Sequence, residues 1–271
     1  MSLTSFALSV RVSARQQRLG FIRILLSSNM FSNIFNGALT CLKTRSMALS
    51  SPQSSAMFSE VKVSAMVVAE MKNETTLPVV ETFHSVQGEG FWTGANAFFI
   101  RLAGCDVGCS WCDTKHSWPM NQHPKCEILA LVESAIAANP FMVVITGGEP
   151  LMHDLTLLTR EIRASGLRVH LETSGSHPLS GEFDWISLSP KQFKPPLEAI
   201  YPLANELKVV VDDAGDLAWA EENAEKIPAP VVKLLQPQWE SPVGQQLAMD
   251  YVLSHPDWRV GLQMHKFLGV R

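Results

Sequence analysis

The sequence predicts an α/β protein built on a parallel sheet that forms a partial barrel, not a closed eight-fold one. Apolar runs of strand length alternate with stretches of helical period, which argues for βαβ units. Most of the runs end in polar or glycine-containing tails. Reactive side chains would therefore collect along the C-terminal edge of the sheet, where parallel sheets carry their sites. Six predicted strands follow the one that leads into a cysteine cluster, too few to close the ring.

Taken in order, folding is expected to begin near Pro78-Val79-Val80. Residues 81–90 read as a loop, because Gly88 and Gly90 let the backbone bend or come close to a ligand. Residues 97–102 are an apolar strand running into Gly104 and Cys105. Residues 115–125 are a loop broken by Pro119 and Pro124. Residues 127–139 have helical period, with Ile128, Leu131, Val132, Ala135 and Ile136 on one face. A buried strand at 142–145 ends in Thr146-Gly147-Gly148-Glu149-Pro150. Asp154 is placed to cap a helix over 155–164, which Gly166 terminates. The strand at 167–171 runs into Glu172-Thr173-Ser174-Gly175, and 175–181 has room for one turn of helix. A short strand at 185–188 runs into Ser189-Pro190-Lys191. Then come a strand at 206–211, a helix at 216–226, a strand at 231–235 ending in Gln236-Pro237, a helix at 243–253 and a last strand at 258–263. No internal repeat is visible.

Composition narrows the function classes. With 46% hydrophobic and 18% charged residues among 271, the chain has a normal globular balance. A formal net charge of −4 without a basic stripe gives no footprint for nucleic acid and no polybasic membrane patch. No run approaches the ~18 consecutive apolar residues of a membrane span. Five cysteines do not make a disulfide framework in a chain of this size, and a clustered trio points to metal or redox chemistry in a reducing, cytoplasmic setting.

The first residues, 1–76, differ from the core at 77–271. No acidic residue precedes Glu60, while Arg11, Arg15, Arg18, Arg23, Lys43 and Arg45 are basic. An organelle-targeting segment has that composition. The plainer reading is an over-long reading frame whose true start is Met66 or Met71. Either way little packed structure is expected there.

The chemistry centres on Cys105, Cys109 and Cys112, spaced C-x3-C-x2-C at the end of a strand. Three thiolates select a soft metal: zinc, copper(I) or an iron–sulfur cluster. A structural zinc site needs a fourth protein ligand, for which His116, His123 or Cys126 would serve. A cubane cluster needs no fourth protein ligand and leaves one iron open.

The cysteine spacing, the aromatic Trp111 before the third cysteine and the Gly147-Gly148-Glu149-Pro150 turn at the next strand resemble the radical S-adenosylmethionine (SAM) superfamily. Gln87-Gly88-Glu89-Gly90, Arg101, Cys112-Asp113-Thr114, Thr146, Glu172-Thr173-Ser174-Gly175, Ser189-Pro190-Lys191, Gln236-Pro237 and Gln263-Met264-His265-Lys266 narrow the likeness. From about Pro78 to Arg271 the chain resembles the 7-carboxy-7-deazaguanine synthase family, of the kind common in Gram-negative bacteria. The resemblance implies a modified, incomplete (β/α)6 radical SAM barrel. It also implies ring contraction of 6-carboxy-5,6,7,8-tetrahydropterin to 7-carboxy-7-deazaguanine with loss of ammonia, on the route to queuosine. The implied cofactors are a 4Fe-4S cluster, SAM and Mg2+. The implied partners are a flavodoxin- or ferredoxin-type electron donor and a second copy of the chain.

The same resemblance assigns roles. Cys105, Cys109 and Cys112 would hold three irons, and SAM would chelate the fourth and be cleaved to the 5′-deoxyadenosyl radical, so no side chain acts as the catalyst. Trp111, Cys112, Asp113, Gly148, Ser189, Pro190, Lys191, Gln236 and Pro237 would contact SAM, with Gly148 glycine so that no Cβ blocks the SAM amino group. Val86, Gln87, Gly88, Glu89, Arg101, Thr146 and His265 would bind the pterin. Gln87 and Glu89 would pair with its ring nitrogens and exocyclic amine, and Arg101 offers a planar fork for its carboxylate. Thr114 would give Mg2+ an oxygen ligand. Each position also has a plain structural alternative: a turn for 87–90, a solvated lysine at 191, a turn-capping hydroxyl at Thr114 and a surface histidine at 265. Two other functions compete. A glycyl-radical activase shares the cysteine spacing but needs a polypeptide-docking surface, and a zinc-binding interaction module needs a fourth ligand.

Overall fold

A computed structural model describes residues 75–228 and 230–271. The extension expected over 1–76 lies almost wholly outside the described residues, as does Cys41. The chain forms β1 (Thr76–Val86), β2 (Asn96–Leu102), β3 (Lys125–Glu127), α1 (Ile128–Ala138), β4 (Met142–Gly147), α2 (Thr156–Ala164) and β5 (Arg168–Thr173). It continues with β6 (Trp185–Leu188), β7 (Glu206–Val211), α3 (Ala214–Ala224), β8 (Val232–Pro237), α4 (Pro242–Ser254), β9 (Trp258–Val260) and α5 (Met264–Leu268). The strands make one sheet in the order β3-β1-β2-β4-β5-β6-β7-β8-β9. From β2 to β9 every pairing is parallel. Because β3 and β9 each have a single neighbour, the sheet stays open, the incomplete barrel that the sequence predicts.

The main difference lies at the start. Residues 81–86, expected in a loop, continue β1, which pairs antiparallel with β2, Phe83 opposite Phe99 and Thr82 opposite Ile100. The glycines that suggested a loop all lie beyond the strand end, and Thr82 and His84 alternate outward as a half-exposed strand requires. The 115–125 loop holds two short 3₁₀ turns, and β3 follows it, antiparallel to β1. The sheet is therefore mixed.

Helix ends follow local chemistry. Asp154 Oδ1 accepts from Thr156 N (3.0 Å) at the start of α2. α3 begins before the expected residue 216, because Asp213 is its N-cap and Asp216 completes the capping box. Ile136 of α1 is half exposed, so the buried stripe is Ile128, Leu131, Val132 and Ala135. The stretch 175–181 makes no helix: Pro178 lacks an N–H, and Ser180 Oγ is committed to Leu155 N (3.1 Å) and His153 O (2.9 Å). β9 ends at Val260, and α5, too short to show a period, was not expected.

Alternation along the strands divides the core. Phe98, Ile100, Val143, Ile145, Val169 and Leu171 pack against Leu131, Leu158 and Ile162 of the helices. The other face carries Ala97, Phe99, Met142 and Val144, covered by Phe83 and Trp92. Trp92, on the loop after β1, also meets Trp185, His170 and Phe141 at 5.5–5.6 Å between ring centroids. That loop thus fills the face of the sheet away from the helices. It is anchored to β7, where Glu206 accepts from Phe91 N (2.7 Å) and Ser187 Oγ (2.8 Å).

Candidate active site

The C-terminal ends of the strands open onto a cavity of about 490 Å³. Cys105, Cys109 and Cys112 line it, all as free thiols. Their loop is tied down by backbone bonds from Gly104 N to Ser117 O (2.7 Å) and from Cys105 N to Trp118 O (3.3 Å). Burial pushes the Cys105 and Cys109 thiols up. They would have to lose protons to bind a metal.

Among the described residues no three His, Cys, Asp or Glu side chains are placed to share one ion. His116, His123 and Cys126 all lie outside the cavity lining. His123 bonds to the His116 carbonyl (2.7 Å), and Cys126 lies in β3 against the core. A cubane spreads its three thiolates over three irons and needs no fourth protein ligand, which fits this loop.

The Gly-Gly-Glu-Pro turn after β4 packs directly on the cysteine loop. A Cβ at Gly148 would overlap the Gly104 carbonyl and come 2.9 Å from Cys105 Cβ. Its glycine is thus required by contact between two backbones, which differs from the expected approach of SAM. Glu149, 1% exposed, accepts from Leu151 N (3.0 Å), Thr173 Oγ1 (2.6 Å), Ser174 N (2.8 Å) and Ser174 Oγ (2.5 Å), joining the ends of β4 and β5.

Of the expected SAM contacts, Trp111, Cys112, Asp113, Gly148, Ser189, Lys191, Gln236 and Pro237 line the cavity. Pro190 does not: its carbonyl faces Trp219 Nε1 (3.5 Å), behind the site. Lys191 is no solvated surface lysine. Its Nζ donates to Ser189 O (2.7 Å) and Ser189 Oγ (2.5 Å), lies 5.7 Å from the Trp111 ring centre, and is pushed down to about 8 by burial. Gln236 Oε1 is buried without a hydrogen-bond partner, the kind of orphan acceptor a bound molecule satisfies. Free thiols and an orphan amide oxygen around one cavity fit a cluster with a small molecule on its open iron.

Val86, Gln87, Gly88, Glu89, Arg101, Thr146 and His265 also line the cavity. Two of them are already committed. Gln87 Oε1 accepts from Glu89 N (3.0 Å) and its Nε2 donates to Glu172 Oε1 (3.0 Å), so its amide supports the loop in place of the expected pairing with the ring. Thr146 Oγ1 donates to Glu172 Oε2 (2.8 Å). Gly88 gives room to His265, whose ring a Cβ there would strike, and Gly88 O accepts from Met264 N (2.8 Å). Arg101 Nε donates to Glu81 Oε1 (3.1 Å), and its guanidinium lies 5.8 Å from the centre of Phe83. Phe83 stacks on Phe99 at 4.8 Å, and both rings line the cavity as a flat apolar wall. Thr114 Oγ1 lies on the lining, 3.5 Å from Cys112 Sγ.

The sequence reading assigned nothing to Lys208, Glu172, Gln263 or Lys266, which all line the cavity. Lys208 Nζ pairs with Glu89 Oε2, and Gln263 Nε2 donates to Glu89 Oε1 (2.8 Å). Lys266 Nζ joins Gln263 Oε1 (3.0 Å) to Asp113 Oδ2 (2.7 Å). Burial alone would raise the Glu89 carboxyl, but the Lys208 ammonium and its hydrogen bond, with Gln263 and His265, hold it down at about 2. Lys208 itself is raised, its carboxylate neighbours outweighing burial.

Residues 99–208 match the Radical SAM superfamily. A 7-carboxy-7-deazaguanine synthase of Synechocystis is 56% identical over 194 residues, covering 72% of this chain and 93% of that one. Its Escherichia coli counterpart is 31% identical over 220 residues, covering 71% of this chain and 98% of the other. The crystal structure of QueE from Escherichia coli superposes with a TM-score of 0.63 at 31% identity, covering 71% of this chain and 96% of that one.

Proposed function

Because the chain belongs to the 7-carboxy-7-deazaguanine synthase family of radical SAM proteins, we propose that its cavity converts 6-carboxy-5,6,7,8-tetrahydropterin to 7-carboxy-7-deazaguanine with loss of ammonia. The carrying observation is the meeting of three free thiols, the orphan Gln236 oxygen and the Glu89–Lys208 pair around one cavity. The enzyme is a lyase of queuosine biosynthesis that uses a 4Fe-4S cluster and SAM. Bound together, these supply the radical that starts the ring contraction.

The chain's own residues bind and orient. Cys105, Cys109 and Cys112 hold the cluster. Trp111, Asp113, Gly148, Ser189, Lys191, Gln236 and Pro237 enclose SAM, with Pro190 supporting them from behind. The Phe83–Phe99 wall receives the flat face of the pterin. Glu89 accepts from its amino–amidine edge and His265 faces it across Gly88. The Arg101 N–H groups not given to Glu81 have no partner among the described residues, and they take the substrate carboxylate. Gln87 and Thr146 fix Glu172. Thr114 Oγ1, on the cavity lining, would offer Mg2+ an oxygen ligand, and the ion would supply positive charge beside the substrate carboxylate. The working form is a homodimer reduced by a flavodoxin- or ferredoxin-type donor in the cytoplasm. No helix among the described residues is long and apolar enough to cross a membrane.

The test is anaerobic reconstitution followed by turnover of 6-carboxytetrahydropterin with SAM and a reductant. The expected result is a protein with a broad visible absorption band that forms 7-carboxy-7-deazaguanine and ammonia. A colourless protein holding one zinc, or a coloured one inert toward this pterin, overturns the reading. Excess chelator should stop turnover and added Mg2+ restore it; unchanged turnover would remove the Mg2+ assignment.

A further inference from the structure

We propose that Lys208 is a positioning residue for substrate recognition: from the cavity floor it fixes Glu89 as an oriented anion for the amino–amidine edge of the pterin. The inference rests on the pterin reading above and deepens it.

Three carboxylates surround this ammonium, and two of them are occupied elsewhere. Glu172 receives Gln87 Nε2 and Thr146 Oγ1. Glu206 receives Phe91 N and Ser187 Oγ. Only Glu89 pairs with Lys208 directly. The two side chains are 8% and 16% exposed, and both line the cavity. A pair this buried rarely stabilises a fold more than well-packed apolar residues of the same size would. Its place facing the cavity is therefore better explained by what it presents to a ligand.

The geometry says what that is. A carboxylate has about four lone-pair sites. Lys208 uses one on Oε2 and Gln263 uses one on Oε1, so each oxygen retains an acceptor site. Two parallel acceptor sites match the two N–H groups of a pterin's 2-amino and ring-amide edge. A protonated Glu89 would lose that match, since one oxygen becomes a donor.

Lys208 and Glu206 face Glu89 from β7, Glu172 from β5, Lys191 from the segment after β6, and Gln263, His265 and Lys266 from the C-terminal segment. Lys208 is the cation in contact. With it gone, burial is opposed only by the Gln263 hydrogen bond and by His265, and the Glu89 carboxyl moves up from about 2 toward the assay range. In the native protein Glu89 stays ionised throughout that range and adds no pH dependence. In a variant lacking Lys208, Glu89 gains protons as pH falls, so affinity falls with it.

The experiment is calorimetric titration of the anaerobically reconstituted enzyme, with SAM present, by 6-carboxypterin, a stable oxidised analogue, between pH 8 and pH 6. Native enzyme, Lys208→Met, Lys208→Arg and the double variant Glu89→Gln/Lys208→Met are compared. Should the methionine variant not fold, Lys208→Gln, which keeps an N–H donor without the charge, takes its place. Expected are a flat variant-to-native ratio for Lys208→Arg and, for Lys208→Met, a loss of affinity that deepens by about tenfold from pH 8 to pH 6. The double variant should bind weakly at both pH values, without the deepening. In turnover the loss should appear in KM with kcat largely kept. Equal affinity and pH profile in Lys208→Met and native enzyme overturns the proposal, as does the same deepening in the double variant. Failure of the pterin reading itself looks different, because then the native enzyme neither binds nor turns over the pterin.

Discussion

At the scale of single residues, the site rests on positions where nothing larger or less charged fits. Gly148 is the sharpest case, since the obstacle to a side chain is the Gly104 backbone, which cannot rotate away. Gly148→Ala is expected to push the β4 turn off the cysteine loop and to destabilise the fold by about 1–3 kcal/mol, as overpacking does. Iron bound per chain after reconstitution should fall together with the thermal midpoint; full iron content at native stability would contradict this. The three cysteines were legible in the sequence because their spacing is local. Lys208 was not. It lies in Glu206-Leu-Lys-Val, which reads as a plain strand, and only the sheet order shows which strand faces the site. Glu149 was visible in its turn, but three of its four donors come from Thr173 of β5 and Ser174 beyond it, which no local pattern relates to it.

At the scale of elements, β1 and its loop carry most of what sequence reasoning missed. Glycines at 88 and 90 suggested a loop from 81 onward, whereas the β2 edge recruited residues 81–86 as a strand. Register with a partner is a tertiary fact that local propensity does not contain. The loop that follows packs Trp92 beside His170 of β5, and His170 is 4% exposed. Burial lowers this histidine from an ordinary 6.5 to about 4. The unfolded chain therefore binds more protons than the folded one between those values, so stability rises with pH there. The contribution is complete above about pH 6.5 and is lost as pH falls toward 4, up to about 3 kcal/mol in all. Denaturant midpoints measured from pH 7 to pH 4 should fall more steeply for the native chain than for His170→Leu. Parallel curves would show that His170 is not the group responsible.

At the scale of the molecule, alternating strands and helices were enough to predict an open parallel sheet with its site at the strand ends. They could not show the antiparallel margin of β1 and β3, nor the return of the C-terminal segment over the cavity. That segment reaches Gly88 through Met264 N, Glu89 through Gln263, and Asp113 through Lys266. A chain ending at Leu262 should keep the sheet, whose core lies elsewhere, and so melt cooperatively. It should also load the cluster, yet bind 6-carboxypterin at least about tenfold more weakly. Native affinity in that shortened chain would show that the segment does not complete the pocket.

The same closure has a consequence in time. The contacts that finish the pocket join residues far apart along the chain, Gln263 and Glu89 by 174 positions. A growing polypeptide exposes Cys105, Cys109 and Cys112 well before residues 263–266 have been synthesised, and such distant pairings form late. Iron–sulfur delivery thus has an interval in which the three thiols are reachable from a side later covered. The visible band should accordingly grow faster in the chain ending at Leu262 than in the full one, so the segment that completes substrate binding also closes the door on assembly.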